Sequence, residues 1–207
     1  MHYNRPYEEV YKNEDGSDTV ERKAFKVVIL AIMYGMHPAS LSESLNITIE
    51  EAEQLIESFY EGSPKVKAWI ENNKKLVKKF GYVTTLMNRK RRLPEAKSKD
   101  KFAVSRAERQ CTNARIQGSA SVQTKLVMIK ADEVLTKMST ETRRFELLAT
   151  IHDEILFQVP EDITKEEVKV IEDIMINTVK LKNVKCKTDI ELGKNWGNLV
   201  SVDDWFK

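Results

Sequence analysis

The chain has 207 residues, of which 41% are hydrophobic, and its formal net charge is +2 at pH 7. This composition can build a core in one domain or two small ones, which excludes a disordered chain, and the small net charge gives no argument for nucleic acid. The two cysteines give neither a disulfide framework nor zinc-site spacing. With no secretory signal and no apolar run of about twenty residues, the sequence predicts a soluble intracellular protein without a membrane partner.

Helix signals dominate the first half of the chain. After a loosely ordered stretch over residues 1–19, capping residues and apolar periodicity predict three helices: Val20–Met36, one from Thr48 to a stop at Gly62, and one from Ser63 to a stop at Gly81. The segment "YVTTLM" favours a short strand and residues 88–101 a basic loop. A long helical stretch over 102–138 is expected to be interrupted around Gln117-Gly118.

The second half contains β-prone segments. In "RFELLATIHDEILFQVP", two such runs flank His152-Asp153-Glu154, which predicts a hairpin with the acid near its tip. A capping box, Thr164 to Glu167, opens a helix to about Lys180, and "CKTDIELG" is a closing strand. The order of elements predicts an α+β fold in which helices come first and a small unit with antiparallel strands follows.

One predicted helix carries an unusual stripe. Arg22, Lys26, Leu30 and Tyr34 recur every four positions and lie along one slowly winding face about 18 Å long. The face changes from cationic to apolar and aromatic, as a nucleoside triphosphate changes from its phosphates to its sugar and base. The alternative is a solvated helix end, with Leu30 and Tyr34 in an ordinary core.

Positive charge is concentrated in the middle of the chain. Between Lys74 and Lys101, eleven Lys or Arg residues face only two acids. This window, which includes Arg89 and Arg91, is a candidate phosphate-binding surface. A solvated helix face followed by a loop is the alternative.

The segment "RKAFKVVILAIMYGM" resembles the fingers helix of family-A DNA polymerases, whose pattern is R-x3-K-x3-F/Y-x3-YG. Arg22, Lys26, Tyr34 and Gly35 match the pattern, whereas Leu30 stands where the family usually has Phe or Tyr. The resemblance continues in the family's order over nearly the whole chain, through "EEAEQLIESFYEGSPKVKAWIE", "GYVTTLMNRKRRLPE", "RAERQCTNARIQGSA", "IHDEILFQVP" and "ELGKNW".

The resemblance implies a site for deoxynucleoside triphosphates (dNTPs). Arg22 and Lys26 would hold the triphosphate, and His2 stands where the family has a histidine that touches the phosphates. Leu30 would lie next to the sugar and base, and Tyr34 would stack at the template side of the nascent base pair.

The resemblance also implies contacts with template-primer DNA. Arg109, Asn113 and Gln117 match residues that contact the template-primer near its terminus. Gln117 and His152 would read minor-groove acceptors, which are nearly independent of sequence. The alternatives are a polar helix face and a buried, satisfied histidine.

Asp153 is implied as a magnesium ligand. Nucleotidyl transfer uses two Mg²⁺ ions, which need hard oxygen ligands. Glu154 would support the site, so Asp153, Glu154 and Lys26 are the implied catalytic residues; an ordinary acidic turn is the alternative. The family's second metal-binding aspartate lies in a motif resembling D-Y-S-Q-I-E before the fingers, and residues 1–21 contain no such segment.

The resemblance thus assigns residues 1–102 to a fingers-like helical subdomain and residues 103–207 to the C-terminal half of a palm. Three hypotheses follow: one subunit of a split polymerase, a non-catalytic remnant that binds DNA or nucleotide, and an unrelated helical interaction protein. In the first, a second chain supplies the thumb and the first palm half. The expected location is the cytoplasm of a bacterium or of a phage-infected host.

Overall fold

The computed structural model describes residues 7–13 and 15–207. The chain divides into two compact units, Met1–Ser119 and Ala120–Lys207, and each has its own core. Within the described residues, no helix is both long and apolar enough to cross a membrane. The functional boundary predicted between residues 102 and 103 stays a prediction.

The first unit is mainly helical. Its helices are α1 (Tyr7–Tyr11), α2 (Val20–Tyr34), α3 (Pro38–Leu45), α4 (Ile49–Gly62), α5 (Pro64–Phe80) and the N-terminal half of α6 (Lys101–Met138). An antiparallel hairpin, β1 (Tyr82–Thr84) with β2 (Lys90–Arg92), and a 3-10 helix, Pro94–Lys97, lie between α5 and α6.

Two apolar clusters hold the first unit together. The buried residues of the first cluster come from α2, α3, α4 and α5: Val28, Ala31, Ile32, Leu41, Ala52 and Ile70. Those of the second come from the end of α5, the hairpin region and α6: Val77, Val83, Leu93, Ala96, Ala107 and Cys111. The buried faces of α2 and α6 position the opposite faces, which carry the candidate site residues.

The second unit combines a hairpin with helices. Its elements after α6 are β3 (Glu146–Ile151), β4 (Glu154–Gln158), α7 (Lys165–Asn177), β5 (Glu191–Leu192), β6 (Val200–Ser201) and α8 (Val202–Trp205). Strands β3 and β4 are antiparallel and form one two-stranded sheet, and β5 and β6 form another. The core is built from α6 and α7 together with residues of the connecting segments, among them Leu135, Phe145 and Ile171.

The predicted α+β class and antiparallel strands are confirmed, as are both capping boxes and the hairpin around residues 152–154. Several details were wrong. Helix α1 lies within the stretch 1–19 that was predicted to be loosely ordered, and α3 was not predicted. Residues 90–92 pair with β1 instead of lying in a loop, the closing strand has only two residues, and α6 continues through Gly118.

Gly118 lies within α6 at a point where the helix packs closely against Thr85. A Cβ added there would lie 2.8 Å from Cγ2 of Thr85, just after β1. Glycine therefore serves close packing at this position, and its intrinsic cost in a helix is offset by contacts along the rest of a long element.

Candidate functional site

The stripe residues lie on α2, whose ends are defined by local hydrogen bonds. The side chain of Thr19 accepts a hydrogen bond from the backbone N–H of Arg22 at 3.1 Å, which caps the N-terminus. Gly35 ends the helix at φ 65°, in the left-handed region that favours glycine. A Cβ on Gly35 would lie 3.0 Å from Cγ of Arg109, so the glycine also allows α6 to approach.

The cationic end of the stripe forms a cluster around Asp18. Oδ1 of Asp18 lies 2.9 Å from both Nε of Arg22 and Nζ of Lys12, and Oδ2 accepts a hydrogen bond from Lys26. The Arg22 guanidinium also lies over the Tyr11 ring, 4.2 Å from its centroid. Hydrogen bonds from Lys26 and Lys12 hold the pKa of the Asp18 carboxyl far below its usual range.

Sequence reasoning missed Lys12 and Asp18. The available signal for Asp18 was its position four residues before Arg22, the spacing of a helical ion pair. Lys12 gave no such signal, because its contact with Asp18 depends on how the chain folds back before α2; Lys12 forms an isolated antiparallel bridge with Asp18.

The apolar end of the stripe is exposed. Leu30 is 53% exposed and Tyr34 is 41% exposed, so the alternative that both belong to an ordinary core is wrong. The phenol oxygen of Tyr34 accepts a hydrogen bond of 3.0 Å from Nε2 of Gln117 on α6. The first unit therefore brings together one predicted nucleotide contact and one predicted DNA contact.

The row on α6 follows helical spacing. Arg109 and Asn113 are half-buried and Gln117 is exposed. Nη1 of Arg109 donates a hydrogen bond of 2.8 Å to Oγ of Ser105, one turn earlier on the same helix. Further along α6, Arg115 donates to the backbone oxygen of Thr84 at 3.0 Å and to Oδ1 of Asn73, which ties α6 to β1 and α5.

The basic window contains the β1–β2 hairpin. Arg91 is in β2, opposite Val83, and Arg89 lies just before the strand; both arginine side chains are exposed. The turn of this hairpin also exposes Leu86 and Met87. The hairpin therefore presents cations and apolar side chains together.

The tip of the β3–β4 hairpin carries the predicted acids in the second unit. His152 and Asp153 form the two-residue turn between the paired residues Ile151 and Glu154. His152, Asp153 and Glu154 are all exposed, so the alternative of a buried histidine is wrong. His152 has φ 56°, a left-handed conformation that is uncommon for a non-glycine residue. Nε1 of Trp196 donates a hydrogen bond of 3.1 Å to Oε1 of Glu154, a contact that sequence reasoning missed.

The acids at the hairpin tip do not by themselves make a magnesium site. Among residues 7–13 and 15–207, no group of three or more His, Cys, Asp or Glu side chains could hold a metal ion. Asp153 offers one exposed carboxylate, and one oxygen of Glu154 is engaged by Trp196. Since Mg²⁺ requires octahedral oxygen coordination, this donor set does not fit two ions. His2, a predicted phosphate contact, lies outside the described residues.

Comparisons with known proteins place the chain in a family. The profile of DNA polymerase family A matches residues 3–198. The chain is 34% identical to the thermostable DNA polymerase I of Thermus filiformis over 86% of its own length, and 34% identical to DNA polymerase I of Bacillus caldotenax over 89%. It spans about a fifth of the length of each of these two relatives.

A solved structure shows the same fold. The polymerase domain of Pol1 from M. smegmatis, in complex with DNA primer-template and dNTP, superposes with a TM-score of 0.75 and 29% sequence identity. The match covers 86% of this chain and 30% of that chain. Together with the motifs on α2, α6 and the β3–β4 hairpin, the profile match shows that the chain belongs to DNA polymerase family A.

Proposed function

We propose that the chain carries the dNTP-binding helix and part of the palm of a DNA-directed DNA polymerase that performs template-directed nucleotidyl transfer. The observation that carries the proposal is the polarity of α2. Its cationic end gathers Arg22 and Lys26, and its other end exposes Leu30 and Tyr34. This arrangement matches the anionic tail and the flat base of a dNTP.

Template-primer DNA is the second proposed ligand. The solved Pol1 relative was captured with DNA primer-template and dNTP. The family profile matches residues 3–198, which include α6 with Arg109, Asn113 and Gln117. The bond between Tyr34 and Gln117 joins the nucleotide-binding and DNA-binding helices in one unit. We assign Arg89, Arg91 and His152 to DNA contacts as well, because their side chains are exposed.

Asp153 is the proposed metal-binding carboxylate of this chain, with Glu154 in a supporting role. When bound, Mg²⁺ would activate the primer hydroxyl and neutralise the phosphates. Because the donor set of the described residues does not fit two ions, we propose that further polypeptide, either a separate subunit or another part of a longer chain, supplies the remaining carboxylates.

Exposed apolar surface supports the need for further polypeptide. The β3–β4 sheet has two strands, and no described strand pairs with either outer edge. In the same unit, Leu148 on β3 is 51% exposed and Ile129 on α6 is 66% exposed. Open edges and apolar patches of this kind are usually covered in a working protein. We place the assembled polymerase in the cytoplasm of a bacterium or of an infected host cell.

Primer extension tests the proposal. We expect no synthesis by the 207-residue chain alone, and magnesium-dependent synthesis after mixing with the polypeptide from the same source that carries the remaining polymerase parts. Asp153→Asn should abolish synthesis, whereas Asp189→Asn, which removes an exposed carboxylate elsewhere in the second unit, should not. Lys26→Ala should slow single-turnover incorporation by at least about a hundredfold because a charge-assisted phosphate contact is lost.

Lys23→Ala is the matched control for Lys26→Ala, since it removes an exposed cation from the same helix outside the Asp18 cluster. Unchanged rates in Lys26→Ala or Asp153→Asn would contradict the assignment. Robust extension by the chain alone would contradict the need for further polypeptide. The second candidate function is a DNA- or nucleotide-binding remnant, and the single exposed carboxylate of Asp153 at the hairpin tip agrees with either function. Failure of every complementing polypeptide would support the remnant.

A further inference from the structure

The two proposed triphosphate ligands of α2 are already paired with an anion in this structure. Arg22 and Lys26 both contact the carboxylate of Asp18, and each uses a different oxygen. Lys12 contacts the same carboxylate at 2.9 Å. The Asp18 side chain is only 16% exposed, so the cations largely enclose it.

The excess of positive charge in this cluster favours the binding of a polyanion. The Asp18 carboxylate would compete with such a ligand only weakly. Three cations surround one carboxylate, so the cluster retains two positive charges. A triphosphate carries up to four negative charges and more acceptor oxygens than a carboxylate. Because partly exposed ion pairs contribute little stability, a triphosphate can displace Asp18 from them.

We propose that Asp18 is an internal anion that occupies the phosphate-binding cations of α2 until a triphosphate displaces it, and that Lys12 is a third cation of the triphosphate site. The inference rests on the proposed function, since it assumes that Arg22 and Lys26 bind the triphosphate. Asp18 thereby lowers the apparent affinity for every phosphate ligand that needs these cations. The site can bind a triphosphate only in the fraction of molecules in which the cations are not paired with Asp18. The measured Kd therefore equals the intrinsic Kd divided by that fraction.

A purely structural role for Asp18 makes the opposite prediction. Asp18 stands immediately before the N-cap residue Thr19, where a carboxylate interacts favourably with the helix dipole. If that were its only role, removing the charge would weaken α2 and leave phosphate binding unchanged or weaker. The lowered pKa of the Asp18 carboxyl agrees with its hydrogen bonds from Lys26 and Lys12 and fits either role. The two roles differ in the sign of the effect on phosphate affinity.

The test is a binding titration of the 207-residue chain with two probes, a dNTP and inorganic tripolyphosphate. Asp18→Asn keeps the side-chain size and removes the charge. Asp15→Asn is the matched control, because it causes the same change in net charge from an exposed residue that accepts a hydrogen bond from Ser17. Asp18→Ser is a second variant that retains a short polar residue before the helix, and circular dichroism checks the folding of each.

We expect Asp18→Asn to bind both probes about tenfold more tightly than the wild type. This factor corresponds to a wild type in which the cations are free of Asp18 in about a tenth of the molecules. Asp15→Asn should bind like the wild type. The gain should be equal for tripolyphosphate and dNTP, because the competition concerns the phosphates and not the base. It should shrink in about 1 M salt, where the Debye length is about 3 Å. Lys12→Ala should weaken binding.

The outcomes separate this inference from the proposed function. If Lys26→Ala abolishes binding but folded Asp18→Asn and Asp18→Ser bind no more tightly than the wild type, Asp18 is only structural and the inference is overturned. If the wild type and Lys26→Ala bind the two probes equally, or neither binds, then α2 is not a triphosphate site and both proposals fail.

Discussion

Arg115 provides the sharpest test of how α6 is held in place. Its Nη1 donates to Oδ1 of Asn73, its Nε donates to the backbone oxygen of Thr84 at 3.0 Å, and its guanidinium lies 5.5 Å from the centroid of Trp69. Asn73 is fully buried, and its Nδ2 has no hydrogen-bond partner among the described residues. Arg115→Met would leave both polar atoms of that amide unpaired.

The expected cost is about 3 kcal/mol of unfolding free energy. A hydrogen bond to a charged group contributes about 1.5–3 kcal/mol, and its loss leaves a buried acceptor unsatisfied. The loss of the contact between the Arg115 guanidinium and the Trp69 ring adds about 0.5–1 kcal/mol to this cost. Methionine retains much of the packing of the arginine stem. Thr84 is half-buried, whereas Asn73 is fully buried. Most of the cost therefore comes from Asn73.

Urea unfolding measures this cost if the first unit is observed by itself. The chain has three tryptophans, so a background with Trp196→Phe and Trp205→Phe leaves Trp69 as the reporter of the first unit. A reporter within one unit is needed because two compact units need not unfold in a single step. The transition midpoint and slope then give the free energy.

Two further variants test whether the loss of stability comes from the buried amide of Asn73. Arg106→Met removes an exposed arginine from the same helix and should change stability by less than about 0.5 kcal/mol. Adding Asn73→Leu to Arg115→Met should recover at least about 1 kcal/mol, because removing both partners leaves no buried amide to satisfy. A loss below about 1 kcal/mol in Arg115→Met, or a double variant less stable than that single variant, would refute the reasoning.

Two other predictions concern the site and the pH dependence of stability. In the assembled polymerase, Leu30→Tyr should relax discrimination against dideoxynucleotides, because an exposed tyrosine can contact the sugar as leucine cannot; equal dideoxy-to-deoxy incorporation ratios would contradict this. The ion pair with Arg143 lowers the pKa of Glu167 to about 2 from an ordinary 4.5, so its stabilisation is present above pH 4.5 and is lost as pH falls towards 2. Glu167→Gln should therefore cost about 1–2 kcal/mol at pH 7, after allowance for solvent screening, and almost nothing near pH 2; equal losses in urea titrations at both pH values would contradict this.

The sequence by itself determined the features that depend on neighbouring residues. The four-residue spacing on α2 and the capping boxes Thr48–Glu51 and Thr164–Glu167 were readable because helix geometry relates residues three and four apart. The hairpin around His152 was readable because two β-prone runs flank a short polar turn. The ordered motifs also identified the polymerase family, which the profile match confirmed.

Tertiary structure decided what depends on distant residues. Gly118 is a local helix-breaking signal, but its close contact with Thr85 makes it a packing residue within a continuous helix. The bond from Trp196 to Glu154 joins residues 42 positions apart, and no local pattern predicts it. Asp18 could be placed one turn from Arg22 by spacing, but its enclosure by Lys12 as well required the fold, because three like charges gather around one carboxylate only when the backbone brings their side chains together.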